Sequence, residues 1–308
     1  MAKISISNET QNLTWQRMKR QAVPFAYLSP TLLLLAVLSF IPIATVVYYS
    51  LMNNVIITKD PPSFVGLDNY VKILSDKNFF NALGNTLFFA IASVIAHFVL
   101  GLLFAMLLNS KVVGPVTKSL FRVIYILPWV FTASIIAVLW RLLLYPNGVV
   151  NYFMLGTGFS TEPIEWLSSR QLALPTVTFI NIWSGYPFYM VSFLAGLQGI
   201  SEDLYEAGKI DGASGIQLFR FITLPQLKPV IISLAMLDFI WTTHQFTLIW
   251  MTTGGGPVRA TEMLSTFTYK LAFTSYEFSL ASTTAMLILA LSLFVGVFYV
   301  RNQRSANE

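Results

Sequence analysis

The chain has 308 residues, of which 55% are hydrophobic and 15% aromatic, but only 11% carry a charge, well below the roughly 25% usual in a soluble domain. The net charge of +5 does not indicate a nucleic-acid-binding protein, because the basic residues stand at the ends of apolar segments and form no basic stripe. The sequence has no cysteine and two widely separated histidines, which excludes disulfides and thiolate metal sites and argues against a histidine metal site.

Six apolar segments predict transmembrane helices, since each has about the 20 residues that cross a hydrocarbon core of about 30 Å. They lie near residues 25–51, 83–108, 120–144, 172–197, 230–251 and 280–300. The first is too long for a cleavable signal, so we expect it to remain as the first span. Kinks are expected at the prolines inside these segments, Pro42, Pro128, Pro175 and Pro187.

The prediction is an all-α, polytopic membrane protein of about six transmembrane helices. Its parts are an N-terminal segment of residues 1–24, a membrane domain of residues 25–300 and a tail of residues 301–308. The two ends and the two links expected on their side carry twelve Lys and Arg residues, against seven in the other, longer links. The positive-inside rule then places both termini in the cytoplasm.

The link between the fourth and fifth segments, residues 200–229, carries its own helix signals. A first short helix has a capping serine, two acids in its first turn and a breaking pair at its end: Ser201, Glu202, Asp203, Asp211 and Gly212. A second short helix starts at Ser214 and is expected to end at Leu224 and Pro225. The link therefore predicts two helices joined by a turn, protruding from the membrane.

The spacing within this link is specific. Glu206, Ala207 and Gly208 are followed after three residues by Gly212 and, after nine more, by Ile222, Thr223, Leu224 and Pro225. This spacing resembles the EAA loop of bacterial ABC importer permeases. The departure is Gly208, where that family usually has a second alanine; glycine lowers helix propensity by about 1 kcal/mol.

The resemblance implies a type I ABC importer permease fold, in a multi-pass protein of the bacterial inner membrane, with a cytoplasmic coupling helix that docks into an ATPase subunit. The docking residues would be Glu206, Ala207, Gly208, Asp211 and Gly212. Glu206 would face a basic residue of the ATPase, and Gly212 would form the turn that lets the ATPase approach. Because the sequence has no Gly-x-x-x-x-Gly-Lys-Ser/Thr loop, ATP and Mg are expected on the partner, and this chain is not expected to be an enzyme or to hold a cofactor.

A second resemblance narrows the branch. Residues 253–257 (TGGGP), 261–266 and 269–273 resemble the outer loop of permeases that import maltose, other oligosaccharides or glycerol phosphate. Residues 65–70 and the pair Asn85 and Thr86 fit the same group. The implied partners are a second permease subunit, two copies of a cytoplasmic ATPase and one external solute-binding protein.

The fifth segment holds a candidate solute site. Asp238 is the only acidic residue deep in an apolar segment, where a carboxylate costs several kcal/mol unless it is paired or hydrated. Asp238, Trp241, Thr242 and Gln245 follow the spacing i, i+3, i+4, i+7 of one helix face, and an aromatic ring beside hydrogen-bonding groups suits a sugar. By the resemblance, Ser184, Gly185 and Phe188 match substrate-site positions of the fourth segment.

Alternatives remain open from the sequence. The polar face could be packing between helices rather than a solute site. His97 is interpreted as isolated and His244 as a neighbour of the polar face that could pair with Asp238 only poorly, and both are interpreted as packing residues. A permease for a polyamine or an amino acid, or a secondary transporter, would also have several spans, although a secondary transporter should show paired interrupted helices in two halves.

Overall fold

The computed structural model describes residues 23–24, 27–53, 55–56, 61–110 and 112–305. Most of the predicted N-terminal segment 1–24 and the last three residues of the predicted tail 301–308 therefore lie outside the described residues.

Within the described ranges the regular secondary structure is helical apart from one short antiparallel strand pair. The pair consists of β1 (Met52–Asn53) and β2 (Ser63–Phe64). The helices are α1 (Tyr27–Ser50), α2 (Asp68–Ser75), α3 (Lys77–Asn109), α4 (Pro115–Val130), α5 (Ala133–Leu143), α6 (Val149–Gly156), α7 (Ala173–Gln198), α8 (Glu202–Ile210), α9 (Gly215–Thr243), α10 (Thr247–Thr252), α11 (Leu264–Phe273) and α12 (Phe278–Ser305).

Among the described helices, α1, α3, α9 and α12 are long and apolar enough to cross a membrane, and the bent pair of α4 and α5 makes a fifth candidate. Helix α7 has 26 residues but is not among these candidates, because its polar residues lower its mean hydropathy. The all-α, multi-pass architecture is thus confirmed, whereas the count of six spans stays a prediction.

Two predicted segments are interrupted. The third segment bends by 98° between α4 and α5, at Phe131 and Thr132, just after Pro128. The fifth segment ends as a helix at Thr243, and α10 follows it after three residues. The prediction of one continuous helix over 120–144 and another over 230–251 was therefore wrong in detail.

The predicted helix end at Leu224 and Pro225 was also wrong, since α9 runs through this point into the membrane segment. Residues Phe219–Thr223 form a π-turn, in which the Leu224 N–H donates to the carbonyl of Phe219. Pro225 offers no N–H, so a local change in hydrogen-bond register at this position lets the helix continue across the proline.

The core of the molecule lies where α3 packs along α7, the most extensive helix pairing. Gly101 on α3 allows the close approach, because a Cβ there would lie 3.0 Å from the backbone nitrogen of Met190 on α7. Leucines of α9 pack against the same pair. Because the three helices pack together here, the polar residues of α3, α7 and α9 come close to one another.

Helix α1 packs on α12 but leaves most of its apolar side chains exposed. Leu33, Leu38 and Phe40 are each more than half exposed. In water such a surface would be unfavourable, whereas in hydrocarbon it costs nothing, so these side chains face lipid or another membrane subunit.

Candidate functional site

A cavity of about 270 Å³ lies between α3, α7, α9 and the bend between α4 and α5. Six of the residues selected from the sequence line it: Ser184, Gly185, Asp238, Trp241, Thr242 and Gln245. The seventh, Phe188, lies beside the cavity, with its ring centroid 5.6 Å from that of Trp241. The residues predicted on two different helices thus come together around one space.

Gln245 reaches the cavity in a way that the sequence did not predict. It follows the end of α9 rather than continuing the helix face of Asp238, Trp241 and Thr242. The backbone there leaves the helix at His244, and Gln245 still lines the cavity from the connection to α10.

The opposite wall of the cavity comes from the bend after α4. Pro128, Trp129 and Phe131 line it there, and Ala133 and Ile136 continue it on α5. The Trp129 ring centroid lies 6.0 Å from that of Phe188, so aromatic side chains from three helices meet at the cavity. This wall was not predicted from the sequence, although the kink expected at Pro128 is a local signal for it.

Asp238 is 8% exposed and both of its carboxylate oxygens have partners. Oδ2 lies 2.8 Å from Nδ1 of His97 on α3, and Oδ1 accepts a hydrogen bond from the Thr242 hydroxyl at 3.0 Å. Nε2 of His97 lies 3.1 Å from the backbone carbonyl of Asn181 on α7. The interpretation of His97 as isolated was therefore wrong: it is the buried partner of Asp238 and links three helices.

Gly185 lines the cavity and also makes room for His97. A Cβ on Gly185 would overlap the imidazole, at 2.5 Å from its Cε1 atom and closer still to Nε2. A side chain at position 185 would push His97 away from Asp238, so this glycine is required by packing as well as by any contact with a solute.

Trp241 is the most accessible aromatic side chain predicted for the site, with 57% of its surface exposed. Its ring lies against Phe188, and the residue lines the cavity. An exposed ring next to hydrogen-bonding groups such as Ser184 and Gln245 can stack on an apolar face while its neighbours bind hydroxyls.

The second predicted site, helix α8, has the capping predicted from the sequence. The Ser201 hydroxyl accepts a hydrogen bond from the Asp203 N–H at 3.3 Å. Gly212 ends the turn with φ of +80°, a conformation that favours glycine. Ser214 forms a capping box with Gln217 at the start of α9.

Contacts on one face hold α8 against α9. The Tyr205 hydroxyl lies 2.9 Å from Oγ1 of Thr223 in the π-turn. A Cβ on Gly208 would lie 2.7 Å from Cδ2 of Leu218, so the glycine that departs from the EAA pattern allows a tighter approach of the two helices.

The remaining predicted docking residues lie on the open side of α8. Glu206, Ala207, Asp211 and Gly212 are exposed. Ile210 and Ile216 beside them are 86% and 80% exposed. Exposed large apolar side chains in the same link as an exposed carboxylate favour a docking surface over a solvated loop.

The segment after α10 contains an ion-pair network around a buried glutamate, which was not predicted from the sequence. Glu262 is fully buried, with Oε1 2.8 Å from Nζ of Lys270 and Oε2 3.1 Å from the Arg259 guanidinium. Asn85 of α3 donates to the backbone carbonyl of Glu262 at 3.0 Å. These contacts hold segment 253–263 against α3 and α11.

Comparison with solved structures supports this fold. A bacterial ABC transporter involved in the import of the acidic polysaccharide alginate matches with a TM-score of 0.81 over 96% of this chain and 99% of that one, at 23% identity. Its complex with an alginate pentasaccharide-bound periplasmic protein matches equally well.

Comparison with sequences identifies relatives. The trehalose/maltose transport system permease protein of Thermococcus litoralis is 36% identical over 94% of this chain and 97% of its own length. The sulfoquinovosyl glycerol transport system permease protein of Agrobacterium fabrum is 30% identical over 93% and 92%. The model of the binding-protein-dependent transport system inner membrane component matches residues 97–307. This chain is a multi-pass membrane protein that belongs to the family of binding-protein-dependent transport system inner membrane components, the permease subunits of ABC transporters.

Proposed function

We propose that this chain forms half of the translocation pathway for a sugar or sugar derivative in an ATP-driven, binding-protein-dependent importer. The observation that carries the proposal is the cavity between α3, α7 and α9, in which the exposed ring of Trp241 stands beside hydroxyl, amide and carboxylate groups. The trehalose/maltose and sulfoquinovosyl glycerol permeases among the relatives support a saccharide as the solute.

The proposed assembly contains a second homologous permease, two copies of a cytoplasmic ATPase and an extracytoplasmic solute-binding protein. The alginate importer bound to its periplasmic protein supports such an assembly. Because the chain has no phosphate-binding loop, the ATPase partner would bind ATP and Mg and carry out hydrolysis. The subunit belongs in the bacterial inner membrane, with both termini cytoplasmic by the distribution of basic residues.

Helix α8 is the proposed contact with the ATPase. Glu206 presents an exposed carboxylate, and Ile210 and Ile216 add exposed apolar area beside it. The other face of α8 is held to α9 by Tyr205 and Gly208, and α9 carries Asp238 and Trp241. A movement of α8 would therefore pass directly to the helix that lines the solute cavity.

The test is purification of the tagged chain from native membranes, together with uptake. We expect an ATPase, a second permease and a solute-binding protein to co-purify with it. Glu206→Lys should retain the second permease but lower the recovered ATPase and the uptake rate at least about tenfold, since it places a cation against a basic partner surface.

The matched control is Glu162→Lys, the same charge reversal at an exposed carboxylate in the connection between α6 and α7. It should leave ATPase recovery and uptake unchanged. Normal uptake in Glu206→Lys would remove α8 as the docking site, and a homo-oligomer purified without any ATPase would contradict the proposed function itself.

A further inference from the structure

His97 and Asp238 are the only titratable side chains among the described residues that line the cavity. The remaining lining residues are aromatic, aliphatic, hydroxyl or amide side chains and glycine. The net charge that this subunit presents to a passing solute is therefore set by how this one pair shares its protons.

The hydrogen bonds of His97 limit the choice of proton state. Nε2 faces the backbone carbonyl of Asn181, which can only accept, so Nε2 must carry a hydrogen. Nδ1 faces the Asp238 carboxyl group at 2.8 Å. A second hydrogen is needed on that contact, since an imidazole lone pair against a carboxylate would be repulsive.

That second hydrogen has two places to reside. It can sit on Nδ1, giving an imidazolium and a carboxylate, or on the carboxyl group, giving a neutral imidazole and a carboxylic acid. In both arrangements the pair as a whole has zero net charge. The conclusion about charge does not depend on which atom holds the proton.

Among the described residues, Thr242 and Tyr189 are uncharged neighbours of the pair. Thr242 donates to the second oxygen of Asp238, and the Tyr189 ring lies beside the imidazole with centroids 5.7 Å apart. The Asn181 amide is held by the Ser93 hydroxyl at 2.9 Å. Both carboxylate oxygens of Asp238 already have partners within this chain, so the carboxylate can be buried without a cationic group from the solute.

We propose that His97 is a positioning residue that cancels the charge of Asp238, so that this half of the pathway selects uncharged saccharides over cationic or acidic solutes. The inference rests on the proposed function, because it assumes that the solute passes through this cavity. It predicts that this subunit does not favour acidic saccharides or polyamines, since an uncompensated charge opposite to that of the solute would be expected in a cavity that selects a charged solute.

Three variants test the charge cancellation. His97→Gln leaves Asp238 ionised in the cavity without a counter-charge and should lower uptake of a neutral saccharide at least about tenfold. Asp238→Asn should lower it only about threefold, because a neutral His97 can still donate to Asn181 and accept from the new amide. The double variant should recover to the level of Asp238→Asn.

Recovery in the double variant is the decisive observation, since a purely structural role for His97 would make the double variant at least as poor as His97→Gln.

Uptake is measured in proteoliposomes containing the complete complex, with radiolabelled trehalose and with a glucosamine-containing disaccharide. The same binding protein supplies every variant, so a change in the ratio of the two uptakes reports on the permease. We expect His97→Gln to raise the ratio of the amine to trehalose at least about fivefold, because it exposes a carboxylate.

A spectroscopic measurement tests the proton state without transport. This chain has two histidines, so when the His244→Gln variant is labelled with ¹⁵N-histidine and assembled with unlabelled partner subunits in lipid nanodiscs, His97 is the only labelled imidazole in the NMR spectrum. We expect Nε2 to be protonated at pH 7. An unprotonated Nε2 with a protonated Nδ1 would give the pair a net charge of −1 and overturn the inference.

The two experiments separate the inference from the proposed function. If the wild-type complex takes up saccharide and His97→Gln does so equally well, the inference fails and the proposed function stands. If the wild-type complex takes up no saccharide, the proposed function fails, while the NMR measurement still decides the charge of the pair.

Discussion

The carboxylate of Asp238 lies inside a candidate membrane helix, where an unpaired charge costs several kcal/mol. The carboxylate can be buried because His97 contacts one of its oxygens and Thr242 donates a hydrogen bond to the other. Thr242 could be anticipated because it stands four residues from Asp238 on the same helix. His97 could not, because it is 141 residues away and no local pattern reports which helices will pack together.

The residue-scale prediction concerns Trp241. Trp241→Ala should weaken the apparent affinity for the saccharide about three- to tenfold, the range expected for loss of an aromatic stacking contact of about 0.5–1.5 kcal/mol. Measurement of concentration-dependent uptake would show this change as a higher KM. Because the ring is 57% exposed, assembly of the complex should be unaffected.

The matched control for this prediction is Trp241→Phe, which keeps a stacking surface and should retain most of the affinity. An unchanged KM in Trp241→Ala would mean that the solute binds elsewhere in the pathway.

At the scale of the elements, the cavity is formed by the breaks and connections between helices as well as by the long helices. The bend between α4 and α5 supplies one wall of the cavity, and the end of α9 at His244 places Gln245 in it. The π-turn Phe219–Thr223 lets one helix run from the exposed link into the membrane segment. The apolar segments predict where the chain crosses the membrane, but they do not predict where a helix breaks inside such a segment.

The element-scale prediction concerns the buried Glu262, which holds segment 253–263 against α3 and α11. Glu262→Gln leaves Lys270 without its counter-charge and should destabilise the local closed state by about 2 kcal/mol, equivalent to a roughly thirtyfold increase in opening. Hydrogen exchange of backbone amides in this segment would measure the increase.

Arg259→Gln is the comparison for Glu262→Gln, since the Arg259 side chain is 48% exposed and its ion pair should contribute no more than about 1 kcal/mol. Equal exchange in the wild type and in Glu262→Gln would show that other contacts hold the segment in place.

At the scale of the whole molecule, the cavity and the exposed apolar surface of α1 lie on one subunit. Its cavity has aromatic and polar walls from α3, α4, α7 and α9, and α1 leaves its apolar side chains exposed toward lipid or another membrane subunit. In the proposed assembly a second permease subunit would complete the pathway.

The molecule-scale prediction concerns topology, because α7 is the helix whose crossing is not supported by its hydropathy. The sequence has no cysteine, so a single introduced cysteine can be labelled without background. In intact cells, a membrane-impermeant maleimide should label Asn147→Cys but not Gly215→Cys, since these positions flank α7.

Ser7→Cys and Ala306→Cys should also be protected in intact cells and become labelled once the membrane is permeabilised. Labelling of position 215 from outside would show that α7 does not cross, and labelling of either terminus would reverse the predicted orientation.

The sequence by itself determined the membrane class, the all-α architecture, the caps of α8 and the helix face that carries Asp238, Trp241 and Thr242. These features depend on composition and on periodicity over a few residues, which the chain shows directly. The pairing of His97 with Asp238, the bend that forms the second wall and the burial of Glu262 were decided only by the tertiary structure. Each brings together residues far apart in sequence or depends on where a helix breaks, and hydrophobic periodicity carries no information about either.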